Sequence, residues 1–131
     1  MIELINLQNT TIETERLFLR SFKLQDLFDF FEYAKVVGVG EMAGWTHHRT
    51  LDESKNMLEI FIEDKHILAI VYKESNKVIG SFGIHPLKEV IKEPGVEIGY
   101  VISKDYWGQG LAVEATKAVL GHLFKEYKIP L

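Results

Sequence analysis

Apolar residues change their period several times along the chain, and each change marks an element. Arg16-Leu17-Phe18-Leu19-Arg20 alternates in the manner of a strand, with a lead-in strand expected around Ile2 to Ile12. From Leu24 the period lengthens, and Leu24, Leu27, Phe28, Phe31 and Ala34 form one stripe of an amphipathic helix. Gly38, Gly40 and Gly44 end that helix and open a loop from Gly38 to Arg49 carrying Trp45, His47 and His48. Thr50 with Glu53 three residues on is a capping-box signature for a second helix to about Asp64, with Leu58, Phe61 and Ile62 inward. His66 to Lys73 and Val78 to His85, joined by the turn Glu74-Ser75-Asn76-Lys77, read as an antiparallel hairpin. A loop from Pro86 to Pro94 leads into a strand over Val96 to Ile102. The last helix opens after Trp107-Gly108-Gln109-Gly110 and runs to about Tyr127, with Ala112, Ala115, Val119 and Leu123 on one face. The order strand, helix, helix, three strands, helix predicts an α/β (α+β) fold. Its sheet is mainly antiparallel with helices packed on it, because only one strand-to-helix crossover interrupts the meander.

Composition narrows the class. The 131 residues suit a single domain with a real core, and 47% hydrophobic with 26% charged residues is an ordinary globular balance. A net charge of −4 gives no positive field for nucleic acid or an anionic membrane, and no basic stripe with interleaved aromatics is present. The absence of cysteine excludes disulfides, Cys-ligated metal and a thiol nucleophile, and fits the cytoplasm. The N-terminus lacks a basic and apolar leader pattern, and the longest apolar run, Ile67 to Tyr72, is far below the roughly 20 residues of a membrane span. A soluble, cytoplasmic protein is expected.

The most informative stretch is Glu97 to Ala112: a strand, a short loop, then a glycine-rich helix start. A helix N-terminus presents unpaired N–H groups and the positive end of the macrodipole, and glycines let a phosphate approach that backbone. Taken alone, Gly108 and Gly110 serve a tight turn and a helix cap equally well. No Lys-Ser/Thr follows as in a P-loop, and the dinucleotide fingerprint lacks its third glycine and acidic partner. Gly99 inside a strand marks either a bulge or a glycine opposite a bulky neighbour. A bulge just before a phosphate-binding helix would turn free N–H groups toward an elongated ligand such as a phosphopantetheine arm.

With these residues the chain resembles the GNAT superfamily of acetyl-CoA-dependent N-acetyltransferases, in the branch of ribosomal-protein N-terminal acetyltransferases and related small-amine enzymes. The resemblance rests on Glu15 to Arg20, Gly44-Trp45, Val78 to Gly83, Glu97 to Tyr100 and Tyr106 to Ala115, in that order, and covers about Thr14 to Tyr127. It implies that backbone groups of Tyr100, Val101 and Ile102 pair with pantetheine. Gly108, Gln109, Gly110, Leu111, Ala112 and Val113 would hold the pyrophosphate. Trp107 stands where the family usually has Arg or Gln, a change common in this branch that removes one polar phosphate contact. The family continues past the glycine-loop helix with a strand, a helix and a terminal strand pair. This chain stops at Lys128-Ile129-Pro130-Leu131, so the resemblance implies one C-terminally incomplete N-acetyltransferase domain over residues 1–131. Val96 to Ile102 would then be an exposed edge, expected to form a homodimer or exchange strands.

Acetyl transfer needs a deprotonated amine, an electrophilic thioester and donors where the oxyanion develops. Glu97, on the strand expected to flank the thioester, is the candidate base, with an exposed strand carboxylate as the competing account. N–H groups near Gly99 and Tyr100 are the candidate donors. The resemblance puts acceptor recognition on the loop of Trp45 and His47; His48 beside them reads as part of a solvated loop, and no third ligand is spaced for metal. His85 and Glu114 read as mainly structural, and Arg16 and Arg20 as strand-edge charges. The expected function is acetyl transfer from acetyl-CoA to a primary amine, a protein N-terminus or a small amine. The alternative is a non-catalytic CoA-binding or interaction module, a remnant of such an enzyme.

Overall fold

The computed structural model describes residues 5–86 and 96–127. Two short strands, β1 (Ile12–Glu13) and β2 (Leu17–Arg20), are followed by helices α1 (Leu27–Ala34) and α2 (Leu51–Glu63). Strands β3 (Ile67–Tyr72), β4 (Lys77–Pro86) and β5 (Val96–Ile102) come next, then α3 (Leu111–Tyr127). The strands form one sheet in the order β1-β2-β3-β4-β5, with every neighbouring pair antiparallel. The expected α+β class and element order are therefore present. Residues 87–95, where the connecting loop was expected, lie outside the described residues.

Strand alternation divides the core in two. One face of the sheet, with Leu19, Leu68, Ile70, Phe82, Ile84 and Ile102, packs on Leu111, Ala115, Val119 and Leu123 of α3. Those four recur every fourth residue, so α3 lays one narrow stripe on the sheet; Leu111 lies deeper in it than the expected Ala112. The opposite face, with Ala69, Val71, Val78 and Val101, is covered by Phe30, Tyr33 and Ala34 of α1 and Leu58 of α2. Asp29 pins α1 to the sheet by accepting from the Val78 N–H at 3.0 Å, and Thr50 caps α2 by accepting from the Glu53 N–H at 3.2 Å.

Four local expectations are corrected. Of the lead-in strand, residues 1–4 lie outside the described set, residues 5–11 are not strand, and only Ile12–Glu13 pairs. Ile5 and Leu7 are nonetheless core residues, with the Leu7 N–H bonded to the Lys65 carbonyl at 2.7 Å. In α1 the buried face is Phe30, Tyr33 and Ala34, while Leu24 and Phe28 are 61% and 73% exposed. Apolar residues occupy so much of this segment that two stripes compete, and Asp26 sets the phase. It is buried, accepts from the two terminal guanidinium nitrogens of Arg20 at 2.9 Å and from the Lys23 N–H at 2.9 Å, and confines Leu24–Asp26 to a 3-10 turn. Arg20 is thus half of an internal ion pair and not a strand-edge charge.

The bulge also lies elsewhere. β5 pairs with β4 without a shift from Gly80↔Ile102 to Pro86↔Val96, so Gly99 sits in regular strand opposite Gly83 and faces neither a bulge nor a bulky neighbour. The irregularity is between β3 and β4, where Ile70 pairs with Gly80 and Val71 with Val78, leaving Ile79 as the extra residue. The strand on its other side closes tightly there, and a Cβ at Gly80 would stand 2.1 Å from the Val101 carbonyl oxygen.

Candidate functional site

The turn from β5 into α3 is tied at several points. The Ser103 N–H bonds the Ile79 carbonyl at 2.7 Å, Lys104–Tyr106 form a 3-10 turn, and the Trp107 indole donates back to the Ile102 carbonyl at 2.7 Å. Gly108 and Gly110 then take φ of +79° and +78°, a left-handed conformation in which other L residues are strained. The first main-chain bond of α3 runs from Glu114 N to Gly110 O at 3.1 Å. Among the described residues, the N–H groups of Gly108 to Val113 have no main-chain acceptor. That is the donor-rich concavity a pyrophosphate needs, at the positive end of a helix of 17 residues.

Arg16, just before β2, and Glu114, in the first turn of α3, brace this loop. Glu114 accepts from the Arg16 main-chain N–H at 2.9 Å, from Arg16 Nε at 2.7 Å and from the Thr14 hydroxyl, while another Arg16 nitrogen donates to the Gln109 carbonyl at 2.9 Å. Burial opposes ionisation of Glu114, yet the hydrogen bonds from Thr14 and Arg16 outweigh it and hold the carboxyl below its ordinary range. Glu114 is structural, as expected. Arg16 is a loop clamp, not a strand-edge charge, because the Thr14–Arg16 segment lies against the first turn of α3.

Two hollows meet along β5. The smaller, about 160 Å³, is lined by Ile102, Tyr106, Trp107, Gly108, Gly110 and the first residues of α3. The larger, about 530 Å³, opens on the α1/α2 side of β4 and β5. Tyr100 and Met42 border both, so the two adjoin. Three cross-strand pairs floor the larger cleft: Ser81 with Val101, Gly83 with Gly99, and His85 with Glu97. A Cβ built on Gly83 or Gly99 would stand 3.5 or 3.8 Å from His85 Nε2, so the imidazole leans over space that both glycines leave open. The opposite wall carries Met42, Ala43, Trp45 and Phe61.

The wall is rigid where it carries Trp45. Its indole packs on the backbone of Gly40, where a Cβ would meet the ring at 2.3 Å, and lies 5.0 Å between centroids from the His48 ring. His48 is buried and its Nδ1 is 2.7 Å from the Ser54 hydroxyl. Desolvation pushes the His48 imidazole below its ordinary pKa, with Glu53 opposing and His47 adding. The expected solvated loop is therefore half interior: His48 belongs to the core, against Phe30 on its other side. Glu41 secures the same turn, 3.0 Å from His47 Nδ1 and accepting from the N–H groups of Gly38 and His47. Those bonds hold its carboxyl at about 2.

Of the residues singled out in the sequence, Glu97, Tyr100, Val101 and Trp45 line the larger cleft, and Tyr100, Ile102, Gly108, Gly110, Leu111, Ala112 and Val113 line the smaller. Gln109 offers its carbonyl to Arg16 and lines neither, and His47 is turned onto Glu41 outside the cleft. His85, set aside as structural, stands on the cleft floor opposite Glu97. The signal for it was the alternation Ser81, Gly83, His85, which puts all three on one face of β4. No group of three metal-ligating side chains occurs among the described residues.

This geometry joins a donor-rich helix start to a cleft along one strand, and residues 16–131 match the acetyltransferase (GNAT) domain family. The chain belongs to the GNAT acetyltransferase family. An uncharacterised N-acetyltransferase of Bacillus licheniformis, p20, is 28% identical over 120 residues, covering 87% of this chain and 66% of the relative. The chain thus spans just under two thirds of that curated relative. The GNAT-family acetyltransferase from Bacillus anthracis superposes with a TM-score of 0.77 at 26% identity, over 92% of this chain and 69% of that one. Ribosomal-protein-S5-alanine acetyltransferase from Vibrio fischeri shares the fold, with a TM-score of 0.64 at 20% identity over 92% of this chain and 70% of that one.

Proposed function

We propose that this GNAT chain transfers the acetyl group of acetyl-CoA to a primary amine, a protein N-terminus or a small amine. The adjacency of the two hollows along β5 is the observation that carries this reading. The Gly108–Val113 N–H groups suit the pyrophosphate, and β5 leads from there to the Glu97 and His85 pair at the far end of the larger cleft. Among the described residues β5 has a neighbour only on its β4 side, so its outward main-chain groups are open to the pantetheine amides and to a developing oxyanion. That open edge, not a bulge, supplies the donors.

The acceptor enters as an ammonium and loses a proton to Glu97 or His85, directly or through water. Its nitrogen lone pair forms the C–N bond at the thioester carbon, the C–S bond breaks, and the nitrogen gives up its second proton as the departing thiolate takes one up. The products are the N-acetylated amine and free CoA. The ribosomal-protein branch is part of this proposal, supported by the fold shared with the Vibrio fischeri enzyme. So are a cytoplasmic site of action, consistent with the absence of a membrane-spanning helix among the described residues, and homodimerisation or strand exchange through the β5 edge.

Calorimetric titration with acetyl-CoA tests the reading, on a sample whose mass is measured by light scattering at the same concentration. Saturable binding that weakens when Gly110 is replaced by Val, together with amine-dependent thiol release, is expected. Binding without release for any amine would mark the chain as a CoA-binding module, and no binding would overturn both readings. A monomeric mass would reject the dimer.

A further inference from the structure

We propose that Tyr33 and Ser81 form a two-hydroxyl relay on the floor of the larger cleft, which binds a carbonyl oxygen of the ligand held there. The proposal rests on the reading of that cleft as a place of acetyl transfer. Tyr33 is 1% exposed, and among the described residues its hydroxyl is the buried side-chain atom without a hydrogen-bond partner. Such an atom is uncommon in a folded chain, because its lost hydration goes uncompensated. The ring cannot turn the hydroxyl out to water. Phe30 meets it edge-on with centroids 5.3 Å apart, and it is packed in the cluster with Ala69, Val71, Val78 and Val101. Asp26 and Asp29 do not bond it; they accept instead from Arg20 and the Lys23 N–H, and from the Val78 N–H.

The hydroxyl is directed at Ser81, which stands within its hydrogen-bonding reach although the contact falls short of a formed bond. Ser81 in turn lines the larger cleft. Burial, with Ser81 opposing and Asp26 and Asp29 adding, pushes the phenol well above its ordinary pKa, so it stays protonated and acts as a donor. Tyr33 donating to Ser81 Oγ leaves the Ser81 proton for an acceptor on the cleft side. A carbonyl oxygen is the neutral acceptor that acetyl transfer brings there, from the thioester and amides of the cofactor or from the amine substrate. Ser81 pairs with Val101 while His85 pairs with Glu97, so four residues of strand, about 13 Å, separate the relay from that pair. At that separation the relay holds the ligand and does not move the amine proton. Ser81 is the binding residue, and Tyr33 positions it.

The test compares the chain with Tyr33→Phe, Ser81→Ala and the double variant by thermal unfolding and by calorimetry. Acetyl-CoA is titrated first, then an alanine-initiated tripeptide into the CoA-loaded chain. Tyr33→Phe removes a buried hydroxyl that makes no bond, so its Tm should equal or exceed that of the wild type. It should nevertheless weaken one of the two ligands roughly five- to tenfold, the worth of one hydrogen bond. Ser81→Ala should weaken the same ligand at least as much, and the double variant no more than Ser81→Ala, because Tyr33 acts through Ser81. A change for acetyl-CoA assigns the carbonyl to the cofactor, and a change for the tripeptide assigns it to the acceptor. A Tm several degrees lower in Tyr33→Phe would mark an internal bond or a fixed water and overturn the proposal. So would unchanged constants for both ligands in the single variants, or fully additive effects. Thiol release by the wild-type chain is read in parallel. Release with variants that bind like wild type rejects the relay alone, and a wild-type chain that binds no acetyl-CoA rejects both readings.

Discussion

Two glycines on neighbouring strands, Gly99 of β5 and Gly80 of β4, should respond to the same substitution in opposite ways. Gly99→Ala places a methyl 3.8 Å from His85 Nε2, an ordinary contact, at a residue whose φ is not positive. Alanine in a strand is favoured over glycine by about 0.5–1 kcal/mol, which for a domain of this size raises Tm by roughly 2–5 °C. The same methyl fills part of the cleft floor on which a bound ligand would lie, and touches the imidazole without displacing it. A displacement of about 1 Å in a reacting geometry costs up to about 100-fold, so acetyl transfer should fall by one to two orders of magnitude while the fold gains stability. Gly80→Ala is the control. Its Cβ would stand 2.1 Å from the Val101 carbonyl oxygen, which is backbone and cannot rotate away. The strands must part, with an overpacking cost of about 1–3 kcal/mol and a Tm several degrees lower. Thermal unfolding by circular dichroism and a thiol-release assay read both quantities on the same samples. A Gly99→Ala chain that loses stability, or that keeps wild-type turnover with its added stability, would refute the account of the floor. So would a Gly80→Ala chain as stable as wild type.

Other outcomes follow from the contacts around the site. Trp107→Phe keeps the ring but loses the 2.7 Å bond to the Ile102 carbonyl; about 1 kcal/mol of loop order goes with it, seen as several-fold weaker acetyl-CoA binding by calorimetry. Asp26→Ala leaves the Arg20 guanidinium and the Lys23 N–H without their acceptor, and denaturant unfolding should show a loss of about 2–4 kcal/mol, with Asp26→Asn recovering part of it. His48, held below its ordinary pKa by burial, is neutral in the folded chain when the unfolded chain takes up a proton. That contribution is complete above about pH 6.5 and is lost as pH falls, so Tm should decline between about pH 7.5 and pH 5.5, and less so in His48→Gln.

Much of the fold was legible because it depends on local periodicity. The alternation in β3 to β5, the cap at Thr50 and the glycine-broken start of α3 each follow from backbone sterics and hydrogen bonding within a few residues. The glycine turn before α3 was legible for the same reason: Gly108 and Gly110 are needed for positive φ whatever else surrounds them. The phase of α1 was not, because Leu27, Phe28, Phe30, Phe31 and Tyr33 offer two apolar stripes. The choice between them is made by the contact of Asp26 with Arg20 and by the aromatic cluster of Phe22, Phe30 and Phe61.

The larger cleft belongs to tertiary structure in the same sense. That Gly83 faces Gly99, that His85 faces Glu97, and that Trp45 closes over them depends on the register between β4 and β5 and on how the α1 to α2 turn packs. Register is set by long-range pairing, and nothing within either strand states its partner. The sequence by itself therefore determined the elements, their order, the family resemblance and the glycine turn that opens α3. Packing decided that His48 is interior, that Arg16 and Arg20 are internal braces, and that the bulge lies at Ile79 rather than Gly99. These are choices among partners far apart in the chain, and they are made by what each side chain can bury and bond at once.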